Sequence, residues 1–222
     1  VRTTFIQELI TLGHDINAVN QKGETPLAAA ADLSVFIPSS NGGRNLENIE
    51  SLIENGAWIS NLDDDGNNFF HLYLQSHSNY ETEEDLLNLF LKSGGQIEEK
   101  NHNGETILHL AARYGSVQIT KNIIESGGQI ESYNEINETP FDLACARSLD
   151  DDSMHYSTDT YAQIVDLFLM KGAVADKKNR HGKKQSDVIK SRINFTGKLS
   201  PAALVKNSPT LAIVNALSDV QE

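Results

Sequence analysis

The sequence predicts an all-α solenoid of stacked helix–turn–helix units, and three observations carry that prediction. The first is a set of glycines placed to stop second helices: Gly13, Gly56, Gly94, Gly127 and Gly172, at steps of 43, 38, 33 and 45 residues. The second is a set of turn residues, Gly23, Gly66, Gly104, Asn137 and Gly182, which keeps the same steps. The third is one near-complete unit, residues 101–134, of which the rest of the chain reads as degraded copies. Two punctuation marks in register are hard to produce by chance. Repetition at this period signals units that bury their apolar faces only by stacking.

The chain begins at Val1, already inside a helical pattern (Phe5-Ile6, Leu9-Ile10) that Gly13 stops. It therefore reads as a fragment that opens on a half-repeat. Thr25 then stands where a first helix begins, and its hydroxyl can cap free backbone N–H groups. Pro26 follows in the first turn, where a missing N–H costs nothing, and Ala29 to Ala31 allow close helix approach. The same device returns at Thr139-Pro140 with Ala144-Cys145, and without proline at Thr106 with Ala111-Ala112. In the central unit Leu108, Ile119, Ile123 and Ile124 supply an inter-helix core. Ile16, Ile59, Ile97, Ile130 and Val174 are expected to pack beneath the loop that follows each repeat.

These residues resemble the ankyrin repeat. GETILHLAARYG followed by IESGGQIESYN is similar to its first helix and its glycine-terminated second helix, and NQKGETPLAAAA and NEINETPFDLACA repeat the likeness. DDDGNNFFHLYL is weaker, because Asn68-Phe69 stands in place of Thr-Pro. The resemblance runs from about Phe5 to Ile189 and implies an ankyrin solenoid of about four repeats with short β-hairpin loops between helix pairs. The expected organisation is an ankyrin domain at 1–182 and a divergent helical cap at 183–222. Against a 33-residue unit the surplus is 10, 5, none and 12 residues, which places inserts near 32–45, 76–83 and 147–160. All three fall between the first and second helices, along one edge.

Composition narrows the function classes. There are 31 acidic and 18 basic side chains, for a net charge of −13. That balance disfavours nucleic acid and anionic membranes, where affinity comes largely from neutralising phosphates. It suits a protein or peptide partner with a basic segment. No run reaches the roughly 18 apolar residues of a membrane span. The one cysteine, Cys145, excludes an intrachain disulfide and a thiolate zinc cluster.

No catalytic, cofactor or metal site is expected. His71 and His109 fall at the histidine of the T-P-L-H motif, which the resemblance makes structural, bonded to backbone of the adjacent loop. Asp63-Asp64-Asp65-Gly66 opens like a calcium loop, but the required glutamate position holds Leu74. Leu9, Asp15, Ile16 and Asn17 resemble the pattern modified by the asparaginyl hydroxylase of ankyrin proteins. The resemblance implies a non-catalytic interaction module that uses a concave face of loop tips and exposed first-helix positions. Carried over residue by residue, the candidates are Asp64, Lys100, His102, Glu105, Arg113, Tyr114, Tyr133, Arg147, Lys178 and Arg180. The face runs from acidic at Asp63–Asp65 to basic at Lys177–Lys184. The expected protein is a monomer in the cytoplasm. The alternative is the substrate-recruiting ankyrin domain of a larger protein, such as a bacterial effector acting in a host cell, with its catalytic domain outside this chain.

Overall fold

The computed structural model describes residues 5–31, 43–76, 83–114, 116–147 and 158–175, with 178, 182 and 184. Helices are its regular elements: α1 (Phe5–Thr11), α2 (Pro26–Ala31), α3 (Gly43–Glu54), α4 (Phe69–Gln75), α5 (Glu83–Lys92), α6 (Ile107–Tyr114), α7 (Val117–Glu125), α8 (Pro140–Arg147) and α9 (Thr158–Met170). Among the described residues no strand occurs, and the one β-bridge joins Lys178 to Lys184 antiparallel. The expected hairpin loops are thus tight turns. The 183–222 segment lies outside the described residues apart from Lys184, and so do the insert segments apart from their edges, which belong to the flanking helices.

The repeat register is written in the backbone. Among the described residues, those with positive φ are the ten punctuation positions: nine glycines, and Asn137 at 61°. Asparagine is among the few side chains that tolerate this left-handed region. Four of these turns are each held from within by one side chain. Oδ1 of Asn20 accepts from the N–H groups of Lys22 and Glu24, and Asp63, Asn101 and Asn134 repeat the arrangement two and four residues ahead. The backbone N–H of the same residue donates to the carbonyl four residues on, at Glu24, Asn67, Glu105 and Glu138.

Helices of 6 to 13 residues are too short to stand alone in water, so their ends and their packing hold them. Thr25 Oγ1 accepts from the Ala28 N–H at 3.2 Å. At α4, Asn68 does this work in place of threonine: its Oδ1 accepts from the N–H groups of Phe70 and His71, both at 3.0 Å. The missing Thr-Pro therefore costs this repeat no cap. Three residues into the helix a second side chain reaches back. Nδ1 of His109 accepts from the Thr106 N–H at 3.1 Å, and at α8 the Asp142 carboxylate accepts from the Thr139 N–H at 2.8 Å. Imidazole and carboxylate play one part.

The chain divides into two compact units, Val1–Leu110 and Ala111–Glu222. In the first, α2 packs on α3 and α4. Its centre is aromatic: the Phe70 and Phe90 rings stack at 5.2 Å, and Phe69 meets Phe90 edge-on at 5.5 Å. All three are fully buried, and truncating one such ring costs about 3–5 kcal/mol. In the second, α9 packs on α7 and α8, Phe141 lies against Phe168 at 6.0 Å, and Ile119, Ile123 and Ile164 are fully buried.

One expectation needs correction. Val174 does not pack under a loop; it is 54% exposed. Ile16, Ile59, Ile97 and Ile130 each stand three residues after the helix-stopping glycine, whereas Val174 stands two after Gly172. The equivalent position is Ala175, which is half-buried.

Candidate functional site

The loop tips are tied to one another through backbone, which fixes the direction of the side chains between. In the first unit, the Asp64 N–H donates to the Lys22 carbonyl at 3.0 Å, and one repeat on the His102 N–H donates to the Asp65 carbonyl at 2.9 Å. The approach is close enough to need glycine beneath. A Cβ at Gly23 would lie 2.7 Å from Asp64 Oδ1, and one at Gly66 would lie 2.7 Å from the His102 ring. Asp64, Lys100 and His102 are exposed along this row. Leu62, at the register of Lys100 one repeat earlier, is 41% exposed.

Glu105 departs from the expectation of a surface contact, being only 4% exposed. Its N–H donates to Asn101 Oδ1, and its carbonyl accepts from the Asn101 N–H and from Nε2 of His71. It closes the turn. The signal that could have shown this is its place beside the capping Thr106, four residues after Asn101.

His71 behaves as the resemblance implied. In the tautomer with the proton on Nε2, that nitrogen donates to the Glu105 carbonyl at 3.1 Å and Nδ1 accepts from the Asn68 N–H at 3.4 Å; Nδ1 also lies 2.8 Å from Asn68 Oδ1. Burial pulls its pKa down from 6.5 to about 4, outweighing the bond to Glu105 that favours the charged form. The ring is neutral near pH 7 and sealed from solvent.

In the second unit, Arg113 and Tyr114 end α6, both half-buried, with the guanidinium carbon 5.6 Å from the Tyr114 ring centroid. Tyr133 is half-buried directly before the turn-holding Asn134, and Lys178 is exposed. The Arg147 side chain and the whole of Arg180 lie outside the described residues. Cys145 is fully buried in α8, so its thiol does not meet solvent.

The arrangement offers guanidinium and aromatic faces, cations and carboxylates at the surface. Among the described residues no group of three His, Cys, Asp or Glu side chains is placed to hold a metal ion, and no helix is long and apolar enough to cross a membrane. The family model of ankyrin repeats matches residues 77–179, as three copies. Residues 77–179 are ankyrin repeats. These repeats thus belong to a family whose members are generally protein–protein interaction modules and typically non-catalytic. No curated protein matches the chain.

Two features escaped the sequence reading. The turn-holding residues Asn20, Asp63, Asn101 and Asn134 form a third register, visible as an Asx at steps of 43, 38 and 33. The other is Asn17, whose side chain clasps the loop of the next repeat: Nδ2 donates to the Gly56 carbonyl at 3.2 Å, and Oδ1 accepts from the Trp58 N–H at 2.8 Å.

Proposed function

We propose that this chain is a non-catalytic module that binds a partner protein or peptide on the concave face that carries its loop tips and exposed first-helix positions. The observation that carries the reading is a contrast between neighbours. At one register the sequence carries only Asn or Asp, and at Asn20, Asp63, Asn101 and Asn134 that residue holds the turn. One position earlier the chain places Val19, Leu62, Lys100, Tyr133 and Lys178, of unlike chemistry and exposed or half-buried. The scaffold is repeated while the face beside it varies, as a recognition surface requires.

The candidate residues in the first unit are Asp64, Lys100 and His102, and those in the second unit are Arg113, Tyr114, Tyr133 and Lys178. Arginine and tyrosine are enriched at binding hot spots, and the pairing of Arg113 with Tyr114 preorganises both. The net charge of −13 favours a partner segment carrying positive charge.

The test is alanine substitution at Arg113, Tyr114 and Tyr133 together, followed by capture of partners and identification by mass spectrometry. Loss of the partners held by the parent chain supports the reading. Retention moves the site elsewhere, and deletion of Ser148–Ser157 then asks whether the insert edge carries it.

A further inference from the structure

The residue two places beyond each helix-stopping glycine has a scaffold task in two repeats. Gln96 folds back so that Nε2 donates to the Gly94 carbonyl at 3.0 Å, and Gln129 does the same for Gly127 at 3.1 Å. The equivalent residue one repeat before Gln96 is Trp58, which is 63% exposed. There the task passes to Asn17, whose amide donates to the Gly56 carbonyl and accepts from the Trp58 N–H. The loop is complete without the indole. A tryptophan therefore stands in solvent where two other repeats use glutamine, and where a polar side chain from the preceding repeat has replaced its structural part. Tryptophan is the residue type most useful as a rigid binding anchor and the best partner for a cation over its ring.

The surroundings select the ligand. Helix α3 ends four residues before Trp58, and Glu47, Glu50 and Glu54 are all exposed on it. Their spacing of three and four residues puts the carboxylates on one helix face. The last turn of α3 holds no basic residue, and the helix C-terminus adds the negative end of its dipole. Asp15 is exposed too, and its Oδ1 accepts from the N–H of Asn17, the residue that holds Trp58.

The geometry points to a second binding surface in the first unit, formed by Trp58 with Glu47, Glu50 and Glu54, that takes an arginine-rich segment of a partner protein. One guanidinium stacks on the indole while its neighbours along the segment pair with the carboxylates. The surface shares no residue with the loop-tip face proposed above, so either can fail without the other.

Trp58 is the only tryptophan in the chain, so its emission reports on this surface alone. Titrating the full chain at low salt with a short arginine-rich peptide changes that emission saturably. The same peptide with glutamine in place of arginine does not, and added salt weakens the effect. Trp58→Gln installs the side chain that two other repeats carry, so it melts like the parent; it binds the labelled peptide roughly tenfold more weakly. Glu50→Gln with Glu54→Gln weakens it as well, whereas Arg113→Ala leaves it unchanged. The proposal is overturned if the peptide fails to bind, if it saturates the chain without altering Trp58 emission, or if Trp58→Gln binds it as tightly as the parent.

Discussion

Nε2 of His71 donates a hydrogen bond to the carbonyl of Glu105, 34 residues further along the chain and one repeat away. Through Nδ1 the same ring accepts from the N–H of Asn68 at the start of its own helix. One neutral imidazole thereby joins a helix cap to the next turn, and protonation would remove the acceptor.

A loss of stability in mild acid follows. His71 has its folded pKa lowered to about 4 from 6.5. Its contribution is fully present above pH 6.5, falls as the unfolded chain takes up the proton that the folded chain refuses, and is spent by about pH 4. The group accounts for at most about 3 kcal/mol across that window. Urea unfolding at pH 7 and pH 5 should show the loss, and His71→Gln should flatten it.

The turn-holding residues are expected to be worth more than their exposed neighbours. Asn101 caps two N–H groups through Oδ1, and its Nδ2 donates to Asn67 Oδ1 at 3.0 Å. Asn101→Ala should cost about 1–3 kcal/mol. Asn101→Asp should cost less, because Asp63 holds the equivalent turn with a carboxylate. Lys100→Ala, one residue away, should shift the urea midpoint little. Chemical denaturation of the three variants ranks them.

Asn137 is the one non-glycine residue with positive φ among those described, at 61°. Asn137→Gly should leave stability within about 0.5 kcal/mol of the parent, while Asn137→Ala should lose about 1 kcal/mol to left-handed strain. Thermal midpoints of the pair check this.

Gly95 has a different reason to be glycine. A Cβ there would lie 2.3 to 2.5 Å from the Phe90 ring. Gly95→Ala should destabilise by about 1–3 kcal/mol through overpacking, and Phe90→Leu in the same chain should recover part of that loss. Unfolding midpoints of the single and double variants measure the coupling.

Much of the fold was legible because its register is enforced by backbone chemistry. Left-handed positions demand glycine or asparagine, and the helix starts demand a capping oxygen, so both leave marks in the sequence. Asn68 shows the limit: judged against Thr-Pro it looked like decay, yet its amide caps α4 as well as a hydroxyl does. Val174 shows another, since apolar character was read for register, and its place one residue early leaves it in solvent. The face was less legible. Glu105 looked like a surface carboxylate beside a turn, but its backbone closes that turn and draws the residue inward. Asn17 and Trp58 were hidden because their relation spans two repeats.

The claim that the repeated turns are scaffold and the residues beside them are the recognition face meets its most direct test in hydrogen–deuterium exchange of the chain alone and with a captured partner. The account predicts slowed exchange on binding in segments 100–103, 113–114 and 133–136, with the second helices α5 and α7 unchanged. Protection confined to Ser148–Ser157, with the loop tips exchanging as in the free chain, would contradict it.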